Sequence, residues 1–110
     1  MNYRDLFKDI VDTYQQHGWK LRRVLVQPQT RAELGSDVSS MPDVQISEAA
    51  IDGLWFSRRS HEQRDAWELR LLAETPFALF ETFEQDETED QREEARLEME
   101  ARLRDYCNKK

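Results

Sequence analysis

The sequence predicts one α+β domain over residues 1–110, built as a two-layer sandwich. In this arrangement an antiparallel sheet of four to five strands carries the N- and C-terminal helices on one face. Three observations predict it. Both ends of the chain have apolar residues at helical spacing, the middle alternates in polarity as strands do, and 110 residues is the usual size of one domain.

The first helix is predicted over residues 3–17. Apolar side chains recur there every three or four positions, at Tyr3, Leu6, Phe7, Ile10, Val11 and Tyr14. Asn2 is placed to cap the start and Gly18 to end the helix. Because only one stripe is apolar, we expect the helix to pack against a sheet.

A strand is predicted over residues 19–26, which are rich in aromatic and β-branched side chains. Regular alternation places Leu21 and Leu25 on one face, with Arg22 and Val24 on the other. The strand is therefore expected to use its first face for the core.

The segment after this strand is less well specified. From Thr30 to Gly35 the sequence predicts one or two helical turns, and the polar stretch 36–43 is expected to be the most mobile loop. Two interpretations of residues 44–50 stay open: a hairpin with a turn at Asp52-Gly53, or one strand that runs on through the glycine.

Three further strands are predicted over residues 54–59, 66–73 and 77–84. The first two flank the polar loop 60–65, which is typical of an antiparallel hairpin, and the connection to the third is short. Together they form a three-strand meander.

The last helix is predicted over residues 86–108, where acids crowd the start and arginines the end, as the helix dipole favours. One stripe is apolar: Ala95, Met99, Leu103 and Tyr106. We expect this helix to share a sheet face with the first. The expected common floor is Leu21, Phe56, Trp67, Leu69 and Leu71.

The charge is strongly uneven. The chain carries a net charge of −7, and residues 81–100 hold ten acids against Arg92 and Arg96. Nucleic-acid binding is not expected, since it depends on Lys and Arg neutralising phosphates. There is no apolar run long enough to span a membrane, and the single Cys107 cannot form an internal disulfide. These features predict a cytoplasmic protein.

No catalytic, cofactor-binding or metal-binding residue is predicted. His17 and His61 are the only side chains that ordinarily titrate near neutrality, and neither has a partner in a recognisable motif. The acids over residues 86–94 lack the spacing of a calcium loop, so a solvated helix start explains them. These patterns favour a protein that is not an enzyme.

The candidate interface or ligand face consists of Arg22, Trp55, Arg59 and Arg70, which are inferred to lie on the outer side of the sheet. A tryptophan beside arginines can hold an anion or a planar ligand by stacking and paired hydrogen bonds. The competing interpretation is a solvated face held together by cross-strand Arg and Glu pairs.

Two classes of function follow. The favoured one is a small acidic binding or adaptor protein, non-enzymatic, that uses its sheet face or its acidic C-terminal helix. Its partner would be another protein or a second copy of this chain, as in a homodimer. The alternative is a small enzyme or ligand-binding domain whose sheet-face arginines hold an anionic small molecule.

Overall fold

The predicted α+β class is confirmed by the computed structural model, which describes residues 2–35, 38 and 41–108. Residues 36, 37, 39 and 40 of the predicted mobile loop lie outside this range. The elements in chain order are α1 Tyr3–Gln16, β1 Lys20–Val26, α2 Pro28–Leu34, β2 Gln45–Glu48, β3 Gly53–Arg59, β4 Asp65–Leu71, β5 Ala78–Phe83 and α3 Glu89–Asn108.

The strands form one sheet in the order β2-β1-β3-β4-β5. The antiparallel meander of β3, β4 and β5 is confirmed, and β1 pairs antiparallel with β3. In contrast, β2 runs parallel to β1, so the sheet is mixed and not purely antiparallel. The reason is that α2 carries the chain back between these two strands, which is the usual connection between parallel neighbours.

Asp52 explains why no hairpin forms ahead of β3. Its buried carboxylate accepts hydrogen bonds from the backbone N and Nε2 of Gln27, at 2.8 and 3.1 Å, and from Oγ1 of Thr30 at 2.9 Å. The residue therefore ties the approach to β3 to the start of α2 and satisfies donors at that helix end. Both interpretations of residues 44–50 are wrong, because β2 ends at Glu48 and pairs with β1 alone.

The two terminal helices lie on opposite faces of the sheet. Tyr14 of α1 stacks on Phe56, with ring centroids 4.1 Å apart and planes 10° apart. On the other side, Nε1 of Trp55 donates to Glu100 of α3 at 2.9 Å. Adjacent residues in a strand point to opposite faces, so the layers are helix, sheet, helix. The prediction that both helices share one face is wrong.

The predicted common floor fails because the strand register divides its members. β3 and β4 pair so that Phe56 lies opposite Glu68, whereas Trp55 lies opposite Leu69. Leu69 therefore packs with Trp55 under α3 and not with Phe56 under α1. In β1 the register with β3 also shifts between Leu21 and Arg23, which breaks the regular alternation assumed from the sequence.

The α3 side of the core depends on close approach of the helix to β3. A Cβ atom added at Gly53 would lie 3.2 Å from Cδ1 of Leu69 and 3.3 Å from Cδ2 of Leu103. Both leucines are fully buried. Glycine at this position therefore lets Leu103 of α3 and Leu69 of β4 pack closely against β3.

We expect Leu103→Ala to lower the free energy of unfolding by about 2–5 kcal/mol, because it leaves a cavity between α3 and the sheet. Leu97→Ala on the same helix is the matched control. Leu97 is 55% exposed, so its loss should change stability by no more than about 0.5 kcal/mol. Urea unfolding followed by circular dichroism measures both, and equal losses would contradict this placement of α3.

Candidate functional site

The irregularity in β1 turns two consecutive arginines toward the α3 side of the sheet. Nε of Arg22 donates to Oγ of Ser57 in β3 at 2.8 Å. The next residue, Arg23, donates from Nη1 and Nη2 to the carboxylate of Glu93 in α3, at 3.2 and 2.9 Å. In a regular strand these neighbours would face opposite ways, so the bulge brings their charges together.

Ser57 lies at the centre of a group of cations. Lys20 stands directly opposite it in the β1–β3 ladder, Arg22 donates to its hydroxyl, and Arg59 follows two positions later on the same face of β3. We call these four residues the Ser57 cleft. They line a cavity of about 790 Å3 together with His17, Gly18, Arg58, Ser60 and His61.

Arg96 lines a second cavity of about 320 Å3 next to the first. We call the side of this second cavity that Arg92 and Arg96 form the inner wall. The Arg96 side chain is only 2% exposed, and its guanidinium carbon lies 4.5 Å from the centre of the Trp67 ring. Nε donates to Glu93 at 2.9 Å, and Nη2 donates to Glu89. Glu89 and Glu93 lie on the same helix as Arg96 and neutralise its buried charge. Glu93 also accepts from Arg23.

Arg92 completes the wall between the sheet and α3. Its Nη1 donates to Asp65 at 2.8 Å and its Nη2 to the backbone oxygen of Glu84 at 2.7 Å. Asp65 also approaches Arg59, but at 3.5 Å, and the Arg59 side chain is 77% exposed. The arginines of the inner wall are therefore paired closely with acids, whereas Arg59 is paired weakly.

The cavity of about 790 Å3, which we call the outer cavity, keeps an excess of positive charge. Arg22 donates to a neutral hydroxyl, and Arg58 donates to the backbone oxygen of His17 at 2.8 Å while its guanidinium lies over Trp19. No acid belongs to the described lining of this cavity. In a chain of net charge −7, the Ser57 cleft is thus a local positive surface that attracts anions.

Two of the four predicted site residues come together in the structure, and two do not. Arg22 and Arg59 both belong to the Ser57 cleft. Trp55 is 0% exposed beneath α3, so its predicted position on an exposed outer face is wrong. Arg70 lies opposite Leu54 on the α1 side, where Nη1 donates to backbone oxygens, including those of Ala73 and Thr75 at 3.3 Å. Binding by these residues stays a prediction.

Other residues of the site were missed at the level of sequence: Lys20, Arg23, Ser57, Arg92 and Arg96. The sequence does hold one signal for them. It contains two Arg-Arg pairs, 22–23 and 58–59, in segments predicted as strands. Regular alternation would place the two members of each pair on opposite faces of the sheet. This holds for Arg58 and Arg59 but not for Arg22 and Arg23.

No family model, curated protein or solved structure matches this chain. The cleft itself therefore carries the functional argument. Among the described residues, no group of three His, Cys, Asp or Glu side chains is placed to hold a metal ion, and no helix is long and apolar enough to cross a membrane.

His17 and the start of α3 have local partners. Nδ1 of His17 lies 2.8 Å from the backbone oxygen of Thr13, at the end of α1. At the start of α3, Thr88 and Gln91 exchange hydrogen bonds between side chain and backbone at 2.9 and 3.1 Å, which is a capping box. These contacts serve the helix ends.

On the α1 face, Tyr14 and Glu68 form the main polar contact with the sheet. The tyrosine hydroxyl donates to the carboxylate, and burial together with this partner raises the pKa of Tyr14 well above its ordinary value. The phenol therefore stays protonated and holds α1 to β4.

Hydrogen bonds from Arg23 hold the pKa of Glu93 below its ordinary value, with Arg96 acting in the same direction and burial opposing them. The folded protein thus binds a proton there less readily than the unfolded chain does. The resulting contribution to stability is present in full above the unfolded value, about 4.5, and is lost as pH falls through the lowered folded pKa.

We therefore expect the free energy of unfolding of the Glu93→Gln variant to fall less steeply than that of the wild type as the pH is lowered from about 6 to about 3. Urea titrations at each pH measure the slopes. Glu98→Gln, at an exposed position of the same helix, is the control and should follow the wild type. The assignment fails if Glu93→Gln loses stability as steeply as the wild type.

Trp55→Ala is expected to reduce the free energy of unfolding by about 3–5 kcal/mol, because the ring is buried between β3 and α3 and bonded to Glu100. Phe80→Ala removes a largely exposed ring and should cost less than about 1 kcal/mol. Guanidinium chloride unfolding compares the two. Nearly wild-type stability of the Trp55→Ala variant would contradict the burial of this ring.

Proposed function

We propose that the protein is a non-enzymatic binding or adaptor protein of the cytoplasm that captures an acidic segment of a protein partner in the Ser57 cleft. The observation that carries the proposal is the hydrogen bonding of the Arg22 guanidinium. Its Nε is held by Ser57, while its two Nη groups contact no acceptor among the described residues. Such a guanidinium is prepared for a carboxylate or phosphate, which it can bind through two parallel hydrogen bonds.

The lining of the cleft supports a large partner more than a small molecule. Sites for small molecules are mostly enclosed and apolar, with few polar groups. The Ser57 cleft is polar, and Arg59 at its rim is mostly exposed. A charged group presented by a protein could enter it, with further binding energy from neighbouring surfaces.

The contacts of Ser57 support binding over catalysis. Its hydroxyl oxygen accepts from the guanidinium of Arg22, and no imidazole lies within hydrogen-bond distance of it in the described chain. A nucleophilic serine needs a base beside it. Arginines orient and stabilise anions, but they do not remove protons at neutral pH.

A second candidate surface is the outer side of α3. Asp90, Glu94 and Glu98 are exposed there at helical spacing, and they surround Leu97. This surface would suit a basic partner. It also offers a form of the first proposal, a homodimer in which the acids of residues 81–100 of one copy enter the Ser57 cleft of another.

The test uses a fluorescent hexaglutamate peptide as the probe. Replacing Arg22 and Arg59 by Gln should weaken its binding at least about tenfold, because both guanidiniums of the cleft are lost. Replacing Arg102 and Arg104 by Gln makes the same change in net charge at exposed positions of α3 and should alter affinity less than about twofold. Fluorescence anisotropy measures the affinities, and thermal melts confirm folding.

Equal affinities for the cleft variant and the wild type would overturn the proposal. Binding of a hexalysine peptide that is lost in a Glu94→Gln, Glu98→Gln variant would favour the outer side of α3 instead. Sedimentation velocity of the wild type and the cleft variant separates the homodimer from a monomeric receptor, because only a cleft-mediated dimer dissociates when Arg22 and Arg59 are replaced.

A further inference from the structure

We infer that the anion recognised by the Ser57 cleft is a phosphate monoester on a side chain of the protein partner. This inference rests on the proposed function and specifies its ligand. The observation behind it is that donor residues from both strands line one cavity: Lys20 and Arg22 from β1, Ser57 and Arg59 from β3.

The number of donors exceeds what a carboxylate can use. The two Nη groups of Arg22 would by themselves engage both oxygens of a carboxylate, in the planar geometry that this pair prefers, and would use two of its about four acceptor positions. Lys20, Arg59 and the Ser57 hydroxyl bring more donors than the two positions that remain. A phosphate monoester has three acceptor oxygens in a tetrahedral arrangement and a charge of about −1.5 to −2 near neutrality, so it can accept from all of them.

The orientation of the donors is set before a ligand arrives. Because Oγ of Ser57 accepts from Nε of Arg22 at 2.8 Å, its own proton is free to be donated elsewhere. The same hydrogen bond holds the guanidinium of Arg22 at Ser57 and leaves its Nη groups without an acceptor among the described residues. Ser57 is only 6% exposed, so this part of the site is anchored in the sheet.

The neighbouring acids cancel little of this charge: Asp65 approaches Arg59 at 3.5 Å, but the Arg59 side chain is 77% exposed. Glu89 and Glu93 are bound by Arg96, and Asp65 accepts from Arg92 at 2.8 Å. These pairs occupy the inner wall and leave the outer cavity to the cations. Arg92 and Arg96 therefore hold α3 beside the site and need not contact the ligand.

The layout favours a phosphorylated side chain over a nucleic acid. A nucleic acid presents a row of phosphates and is bound by a track of Lys and Arg. Here the cations line one cavity together with Ser57, and residues 81–100 are densely acidic. One phosphate group on a protein segment matches one such centre.

The experiment titrates the intact protein with a pentapeptide of sequence Gly-Gly-phosphoserine-Gly-Gly, with the same peptide carrying Glu at its centre, and with inorganic phosphate. Nitrogen-15 NMR follows the Nε–H signal of Arg22 and the amide of Ser57. We expect both signals to shift and saturate, with the phosphopeptide at least about tenfold tighter than the Glu peptide.

Two variants test the named donors. Arg22→Lys keeps the charge but removes the paired Nη groups, and should weaken the phosphopeptide at least about fivefold. Ser57→Ala should also weaken it, by about threefold or more, since it removes one donor and releases Arg22. Arg104→Lys, far along α3, is the control and should leave the affinity unchanged. Thermal melts of each variant confirm folding.

Each outcome has one meaning. If the Glu peptide binds through Arg22 as tightly as the phosphopeptide, the phosphate inference is overturned while the proposed function stands. If neither peptide binds, both are overturned. Inorganic phosphate that binds as tightly as the phosphopeptide would replace a side chain by free phosphate as the ligand. An oligonucleotide that binds more tightly than the phosphopeptide would overturn the assignment to a protein partner.

Discussion

Burial of β3 from both sides is the constraint on which the rest of the structure depends. Its residues from Gly53 to Ser57 are all buried, with Phe56 under α1 and Trp55 under α3. A central strand covered on both faces needs a helix on each side, which sets the three layers. The burial ends at Ser57, and the next two residues, Arg58 and Arg59, are exposed. The Ser57 cleft lies at this transition from core to solvent.

The bulge in β1 gives that transition its charge. One additional residue between Leu21 and Arg23 turns Arg22 and Arg23 to the same face, while Leu21 and Val24 on either side stay in the α1 core. The two arginines then have different partners. Arg23 binds an acid on α3, whereas Arg22 binds a hydroxyl and, within the part of the chain that the structure describes, keeps two donor groups available.

The ion pairs between α3 and the sheet link stability to the site. Arg96 is a buried cation, and removal of its acids would leave a charge in the core, which is far more costly than loss of an exposed pair. Glu93 joins Arg23 of the sheet to Arg96 of the helix. The same contacts therefore hold α3 in place and keep acids away from the outer cavity.

The sequence by itself determined the elements whose signal is local. The helix predicted over residues 3–17 is observed as Tyr3–Gln16, and the strand predicted over 54–59 is observed as Gly53–Arg59. Periodicity and capping act within a few residues, so they can be read along the chain. Arg22 and Arg59 could be selected for the same reason, as charges on predicted strands.

Only the tertiary structure decided which strands pair, which face each helix covers, and which cations meet. The parallel pairing of β2, the bulge at Arg22 and the burial of Trp55 all depend on partners distant in sequence. Ser57 shows this most clearly, since nothing in its local sequence marks it. It becomes the centre of the site because the β1–β3 register places Lys20 opposite it and the bulge brings Arg22 within hydrogen-bond distance.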